Sequence, residues 1–542
     1  MMRAVVLLFS VVTVVSCANL NQQLATSDDA QVIRTDIAFL ADDARAGREA
    51  GTPGYDSAAE YVATRMNAIG LRPGGNDGSW FQDVPLLSGK AVQSAAAFSI
   101  TSPDGTVTRL SNREDFVSLP SFATPQADIS GELVFVGYAI HAPAFGHDDF
   151  EAVDVDGKIA VYFTGAPDVF DSEQRAHFGS GRSKGKELSS RGAIGTITLR
   201  TAASQERASW ERITSNPDRI SMTWIEPGGA PKVAGPNLKV GSLIHDDKAA
   251  LLFEGAERSF AEVRAEADSE GGVPSGFALK TRAQIGAAYD LTNVQSPNVV
   301  GIIEGADPQL KSEYVVLTAH LDHVGTDQRL IDEGKDGIHN GAMDNAAGIA
   351  VMLNVAERLR NIEVGRSVIV LAVTAEEKGL LGADYFAHFP TVDRSSIVAN
   401  VNLDMPLMLH EFVDVIAFGA ERSTLGAITK AAADAHNIAL TPDPFPEQGI
   451  FTRSDHYRFV EQGIPSVYLF PGFGSAGTQV FYDFISTHYH KPSDDLTLPI
   501  KYDALAQFAD VNFMIARDIA NAPMKPTWLE GDFFGDLFAK DR

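Results

Sequence analysis

Apolar positions follow two different rhythms along the chain, and the change comes near Ser296. Between residues 36 and 71, Tyr61, Val62, Met66 and Ile69 recur at spacings of about three to four, which predicts a helix with one buried face. Gly47, Gly51, Pro53 and Gly54 interrupt the pattern ahead of it. From about residue 111 to 287 the chain is rich in Gly, Ser and β-branched residues. Three runs there, LVFVGYAI, GKIAVYF and AIGTITL, predict strands.

Beyond Ser296 the apolar runs stop alternating. VVGII, YVVLTAH, SVIVLAV, VANVNL, VDVIAFG and IPSVYLF have the texture of strands covered on both faces. Between them, NAAGIAVMLNVAERLR places Ile349, Met352, Leu353, Ala356 and Leu359 on one helical stripe. GLLGADYFAHF, LGAITKAAADAH and residues 502 to 520 predict further helices. Strands alternating with helices imply an α/β fold, a mixed, largely parallel sheet flanked by helices, with the middle of the chain as an inserted β-rich domain.

At 542 residues the chain can bury two full cores. Its net charge of -27 argues against a nucleic-acid partner, because a phosphate-binding face needs clustered Lys and Arg. At the start, Arg3 precedes an apolar run over residues 4 to 15 that is short for a bilayer span and closes in small residues, as a secretory signal does. Cys17 is the only cysteine, so an intramolecular disulfide and a Cys-rich zinc site are excluded. Val14-Val15-Ser16-Cys17 resembles a bacterial lipobox. That resemblance implies an exported, periplasm-facing outer-membrane lipoprotein held by a lipid at Cys17. Cleavage after Ala18 is the alternative and gives a soluble periplasmic or secreted protein.

In open α/β sheets ligands bind beyond the carboxyl ends of the strands. Here YVVLTA runs into His320-Leu321-Asp322, VIVLAVTA into Glu376-Glu377, and VANVNL into Asp404. Asp344 lies in GAMDN just before a helix, and His490 stands in the loop YHKPSD after IPSVYLF. Taken singly these are ordinary. An Asp before a helix is commonly an N-cap, and acidic residues at helix starts complement the dipole.

In this order, HLD, MDN, AEE, NLD and HKPSD resemble the M28 family of co-catalytic zinc peptidases. Ser454-Asp455-His456 before GIPSVYLF, and GREAGTPGYDSAAEYVATRMNAIGLRP, resemble further family segments. The resemblance implies the zinc exopeptidase (phosphorylase/hydrolase-like) fold and hydrolysis of N-terminal peptide bonds. It implies two zinc ions, or other divalent metals, with His320 and Asp404 on one, Glu377 and His490 on the other, and Asp344 bridging both. By the same resemblance Asp322 orients the His320 imidazole and Glu376 is the general base. Asp455 and His456 are either pocket residues or parts of a turn. His323, His339 and His488 match no ligand position.

DVDGKIAVYF, Lys184 and Lys186, and SSRGAIGTITL resemble a protease-associated domain. This implies a leader over residues 1–17, a discontinuous peptidase domain over 27–109 and 288–523, the insert over 110–287 as a lid or a spacer, and a tail over 524–542. Rival readings on the same fold are a carboxypeptidase or a glutaminyl cyclase. An acidic-peptide carboxypeptidase needs a basic pocket, for which Arg182, Arg191 and Arg453 are unplaced candidates. A catalytically dead binding protein is a further rival, opposed by the complete ligand set and an intact Glu376. Peptides are the expected partners, and oligomeric state is open.

Overall fold

The computed structural model describes residues 27–540, so Cys17 and the leader lie outside the described residues. Its centre is a mixed, largely parallel sheet. Tyr314–His320 lies between Ser367–Val373 and Ile397–Asn402, parallel to both, and Ser466–Pro471 continues the parallel set. Asp414–Phe418 runs antiparallel beside Ser466–Pro471, and residues 299–303 run antiparallel beside Ser367–Val373.

The absence of alternation in these runs has a direct physical cause: both faces of the strands are covered. Val315, Leu317 and Ala319 pack in one core with Ala347–Arg360, Tyr502–Asn521, Ser27–Leu40 and Pro53–Ile69. Val316, Ile369 and Leu371 point the other way, against Phe386 and Phe459. The predicted helix over 36–71 is interrupted, ending at Leu40 and resuming at Pro53. In the gap Gly47 has φ +69°, and a Cβ there would lie 2.2 Å from the Gly325 carbonyl oxygen.

A second sheet has its own aromatic core, including Phe98, Phe116, Phe135, Phe163 and Phe277. Gln126–Phe135, Ile159–Phe163, Gly195–Leu199 and Val240–Ile244 are parallel neighbours, and Phe116–Pro120 closes antiparallel on the last. One strand, Phe277–Ile303, belongs to both sheets: residues 277–288 pair with Gln126–Phe135, and 289–299 pair with Phe81–Ala91.

Three strands sit differently from the sequence expectation. Ala97–Thr101 and Val107–Leu110, expected with the peptidase, hydrogen-bond into the second sheet. Ile220–Trp224, expected in the insert, pairs with Phe81–Ala91 of the first. Pairing decides this, because strands of either sheet carry the same β-branched texture.

Ion pairs dock the second lobe on the first. Arg422 pairs with Asp171 and Glu173, both at 2.6 Å. Asp384 receives Arg182 at 3.3 Å and the Trp224 indole N–H at 2.8 Å. No helix among the described residues is long and apolar enough to cross a membrane.

Candidate metal centre

The strand ends deliver their acids and imidazoles to one place. His320 is the last residue of its strand, and Nε2 lies 3.2 Å from both Asp344 Oδ1 and Asp404 Oδ1. On the other side of Asp344, Oδ2 lies 3.2 Å from His490 Nε2, which is also 3.1 Å from Glu377 Oε2. His320, Asp344, Glu377, Asp404 and His490 therefore converge on one cluster with Asp344 in its middle. Asp322 and Glu376 adjoin it.

Sharp backbone turns make this convergence. Ala375 (φ 53°) precedes Glu376-Glu377, Met405 (φ 40°) follows Asp404, and His490 itself has φ 55°. Non-glycine residues hold such angles only where their surroundings over-determine them. Here buried hydrogen bonds do so. Asn345 accepts the N–H of Met405 at 3.1 Å and donates to the Leu403 carbonyl at 3.1 Å, joining the Asp344 turn to the Asp404 turn. The buried Arg48 guanidinium donates to the carbonyls of Leu321 (3.0 Å), Asn340 (2.6 Å) and Gly341 (3.0 Å), joining the His320 and Asp344 segments. Gly341 has φ +61°, and a Cβ there would sit 2.2 Å from the Asp344 carbonyl oxygen.

Asp322 divides its contacts between main chain and side chain. Its main-chain carbonyl, 3.0 Å from His320 Nδ1, contacts the imidazole. Its carboxylate accepts the N–H groups of Glu376 (3.0 Å) and Glu377 (3.3 Å), so it positions the Glu-Glu turn. A carboxylate two residues along cannot be assigned to one task by sequence, since main chain and side chain both reach His320.

His323 matched no motif position, yet the fold puts it in the cluster. It is fully buried, with Nδ1 2.8 Å from Glu377 Oε1. The available signal was a second imidazole three residues after His320, at a strand end where the chain turns. His488 is bonded away, its Nδ1 lying 3.0 Å from the Ser493 carbonyl. Asp455 and His456 are buried behind Ser454, whose hydroxyl donates to Asp404 Oδ2 at 2.5 Å. Burial pushes the Asp455 carboxyl up to about 8 and the His456 imidazole down to about 3.

The electrostatics are those of a cation site. Burial alone raises Glu377, but His490 and His323 outweigh it and hold the carboxyl well below its ordinary range. Burial works against protonated His490 too, but Glu377 and Asp344 raise it to about 9. Burial pushes Glu376 well above the usual carboxylate range, with His320 opposing and Glu377 and Asp404 adding to it. Glu377 Oε1, His490 Nε2 and His323 Nδ1 are buried with only cluster members within reach, and His323 Nε2 is buried with no hydrogen-bond partner among the described residues. Buried charged donors without hydrogen bonds are costly unless a metal takes them. Two donor sets, His320/Asp344/Asp404 and His323/Asp344/Glu377, each lie within 4.8 Å and share Asp344. Nitrogen and carboxylate oxygen donors of this kind fit a divalent transition metal.

A cavity of about 600 Å³ opens over the cluster. Glu376, Glu377 and His490 line it, together with Arg113 of the second lobe and Arg219, which precedes Ile220–Trp224.

Comparison with known proteins adds three findings. Residues 298–516 match the family model described as Peptidase family M28. The alkaline phosphatase isozyme conversion protein of Escherichia coli is 30% identical over 162 residues, which cover 28% of this chain and 45% of that protein. Aminopeptidase YwaD of Bacillus subtilis is 26% identical over 260 residues, covering 45% of this chain and 51% of that protein. The chain thus spans about half the length of these curated relatives. An aminopeptidase from Aneurinibacillus sp. strain AM-1 shares the fold with TM-score 0.53 at 19% identity, over 92% of this chain and 95% of that one.

Proposed function

We propose, from the premise that the chain belongs to peptidase family M28 through residues 298–516, that it is a two-zinc aminopeptidase that hydrolyses N-terminal peptide bonds. The observation that carries this reading is the convergence of His320 and Asp404 on one side of Asp344, and of Glu377 and His490 on the other, with Glu376 lining the open cleft beside them. His320 and Asp404 would hold one ion, Glu377 and His490 the other, and Asp344 would bridge. Bound divalent ions supply Lewis-acid polarisation of a carbonyl and acidify water.

The chain's own residues do the rest. Glu376 is the acid that lines the cleft beside Glu377 and His490 without an imidazole engaging its carboxylate. That suits it to take a proton from water and return it to the leaving amine. Asp322 holds the Glu376 N–H and so keeps the base at the strand end. The surrounding carboxylates attract a free α-ammonium, which limits cleavage to the terminal residue. Relatives named aminopeptidase support the same substrate class.

The test compares peptides with a free and an acetylated N-terminus, together with elemental analysis of the active protein. Cleavage confined to free N-termini and two zinc ions per chain is the expected result. Cleavage of blocked peptides from the carboxyl end, or activity with one ion or none, overturns it.

A further inference from the structure

The cleft lining gathers five cations, Arg113, Arg219, Lys378, Arg453 and Arg458, on a chain of net charge -27. Of the cations lining this cavity, Lys378 is held by Glu49 at 2.7 Å and Arg458 by Glu461 at 2.5 Å. Arg113, Arg219 and Arg453 line it too, and none of them has a carboxylate partner among the described residues. Arg113 Nη2 is buried with no hydrogen-bond partner. The neighbouring acid Asp218 is engaged by Lys90 at 2.9 Å. Arg453 touches only neutral oxygens, the Tyr489 hydroxyl at 3.2 Å and the Gln448 carbonyl at 3.3 Å. Arg113 and Arg453 come from different lobes and share the space lined by Glu376, Glu377 and His490.

A guanidinium presents a planar fork of donors that matches a carboxylate, and burying one without an acceptor is unfavourable. A cleft with low-dielectric walls concentrates such a field. Arg182 and Arg191 have no part in this, since Arg182 pairs with Asp384 and Arg191 with Glu187 at 2.5 Å.

We infer that the cleft binds its peptide substrates through a carboxylate placed away from the scissile bond, with Arg453 and Arg113 as the anchoring pair and Arg219 at the rim. This rests on the peptidase reading and names its substrate class: peptides carrying a carboxylate within reach of the cluster. The carboxylate is either the C-terminus of a short peptide or an acidic side chain. The second lobe thereby acts in selection, because it supplies Arg113.

The test uses the full-length, zinc-loaded protein and trialanine whose first peptide bond is reduced to CH2–NH, so that it is not cleaved. Calorimetry compares the free acid with the C-terminal amide. A second pair, both amidated, carries Asp or Asn at the third residue. The carboxylate ligand of at least one pair binds on the order of 10-fold tighter, the scale of a charge-assisted hydrogen bond. The first pair identifies a terminal carboxylate and the second an acidic side chain. Arg113→Met and Arg453→Met each narrow the ratio, Arg→Lys narrows it less, and salt narrows it in the unmodified protein. Equal binding within both pairs overturns the inference, as does a ratio that survives the double Met variant or is insensitive to salt. Hydrolysis of ordinary trialanine is followed in parallel. A retained ratio without hydrolysis supports the carboxylate site and counts against the peptidase reading. Hydrolysis without a ratio does the reverse.

Discussion

The Asp494 carboxylate accepts the backbone N–H of Asp344 at 3.1 Å, and its other oxygen accepts that of Met343 at 2.9 Å. An acid 150 residues along the chain thus aims the carboxylate at the centre of the cluster. Asp494→Ala leaves two buried N–H groups without acceptors, at about 1–3 kcal/mol each. A lower melting temperature and weaker metal retention are expected, with a smaller loss for Asp494→Asn. Thermal melts with and without chelator measure both. Unchanged metal retention in Asp494→Ala would separate this contact from the site.

Glu376 and Glu377 are neighbours with different surroundings. Glu377 is bound by His323 and His490, whereas Glu376 has no such imidazole hydrogen bond. Glu376→Gln should cut turnover by about 10²–10⁴ while metal content stays near normal. Glu377→Gln should lower metal content, and added zinc should restore part of its activity. Turnover and metal stoichiometry on both variants check this, and an exchange of the two phenotypes refutes the assignment.

His323 donates toward Glu377 from full burial. Removing a hydrogen-bond partner of a metal-ligating group typically weakens metal binding by about 10–100-fold. His323→Ala should do so, and competition with a fluorescent chelator reads it. Affinity equal to the unmodified protein would make His323 a packing residue only.

Lys184 lies in the buried core of the second lobe, where burial lowers its ammonium to about 7, opposed weakly by Asp149. The unfolded chain therefore binds more protons than the folded one above that pH, and stability rises with pH up to the ordinary lysine range. Lys184→Met should stabilise the protein at pH 7 by at most about 4–5 kcal/mol, with the gain shrinking toward pH 10. Denaturant melts of both proteins at pH 7 and pH 10 test it. A gain that grows with pH contradicts the assignment.

Part of the cluster was legible because His320, Glu377 and Asp404 follow runs whose burial shows in their composition. His320 and Asp404 follow strands buried on both faces, and such a run announces its own end. His490 was harder. The helix Gly477–Thr487 intervenes between its loop and the strand before it, so distance along the chain said nothing of position. Likewise Ala97–Thr101 and Ile220–Trp224 have the texture of strands, and only their partners say which sheet each joins.

By itself the sequence determined the layered α/β fold and which acids and imidazoles stand at strand ends or before Ala347–Arg360, because periodicity and composition are properties of single elements. Tertiary structure alone decided that Asp322 uses its carboxylate on the Glu-Glu turn, that His323 joins Glu377, and that Arg113 and Arg453 line one cleft. Each of these is a relation between chain segments whose distance in space is set by sheet pairing and lobe docking. No pattern of hydrophobic and polar positions encodes such a distance.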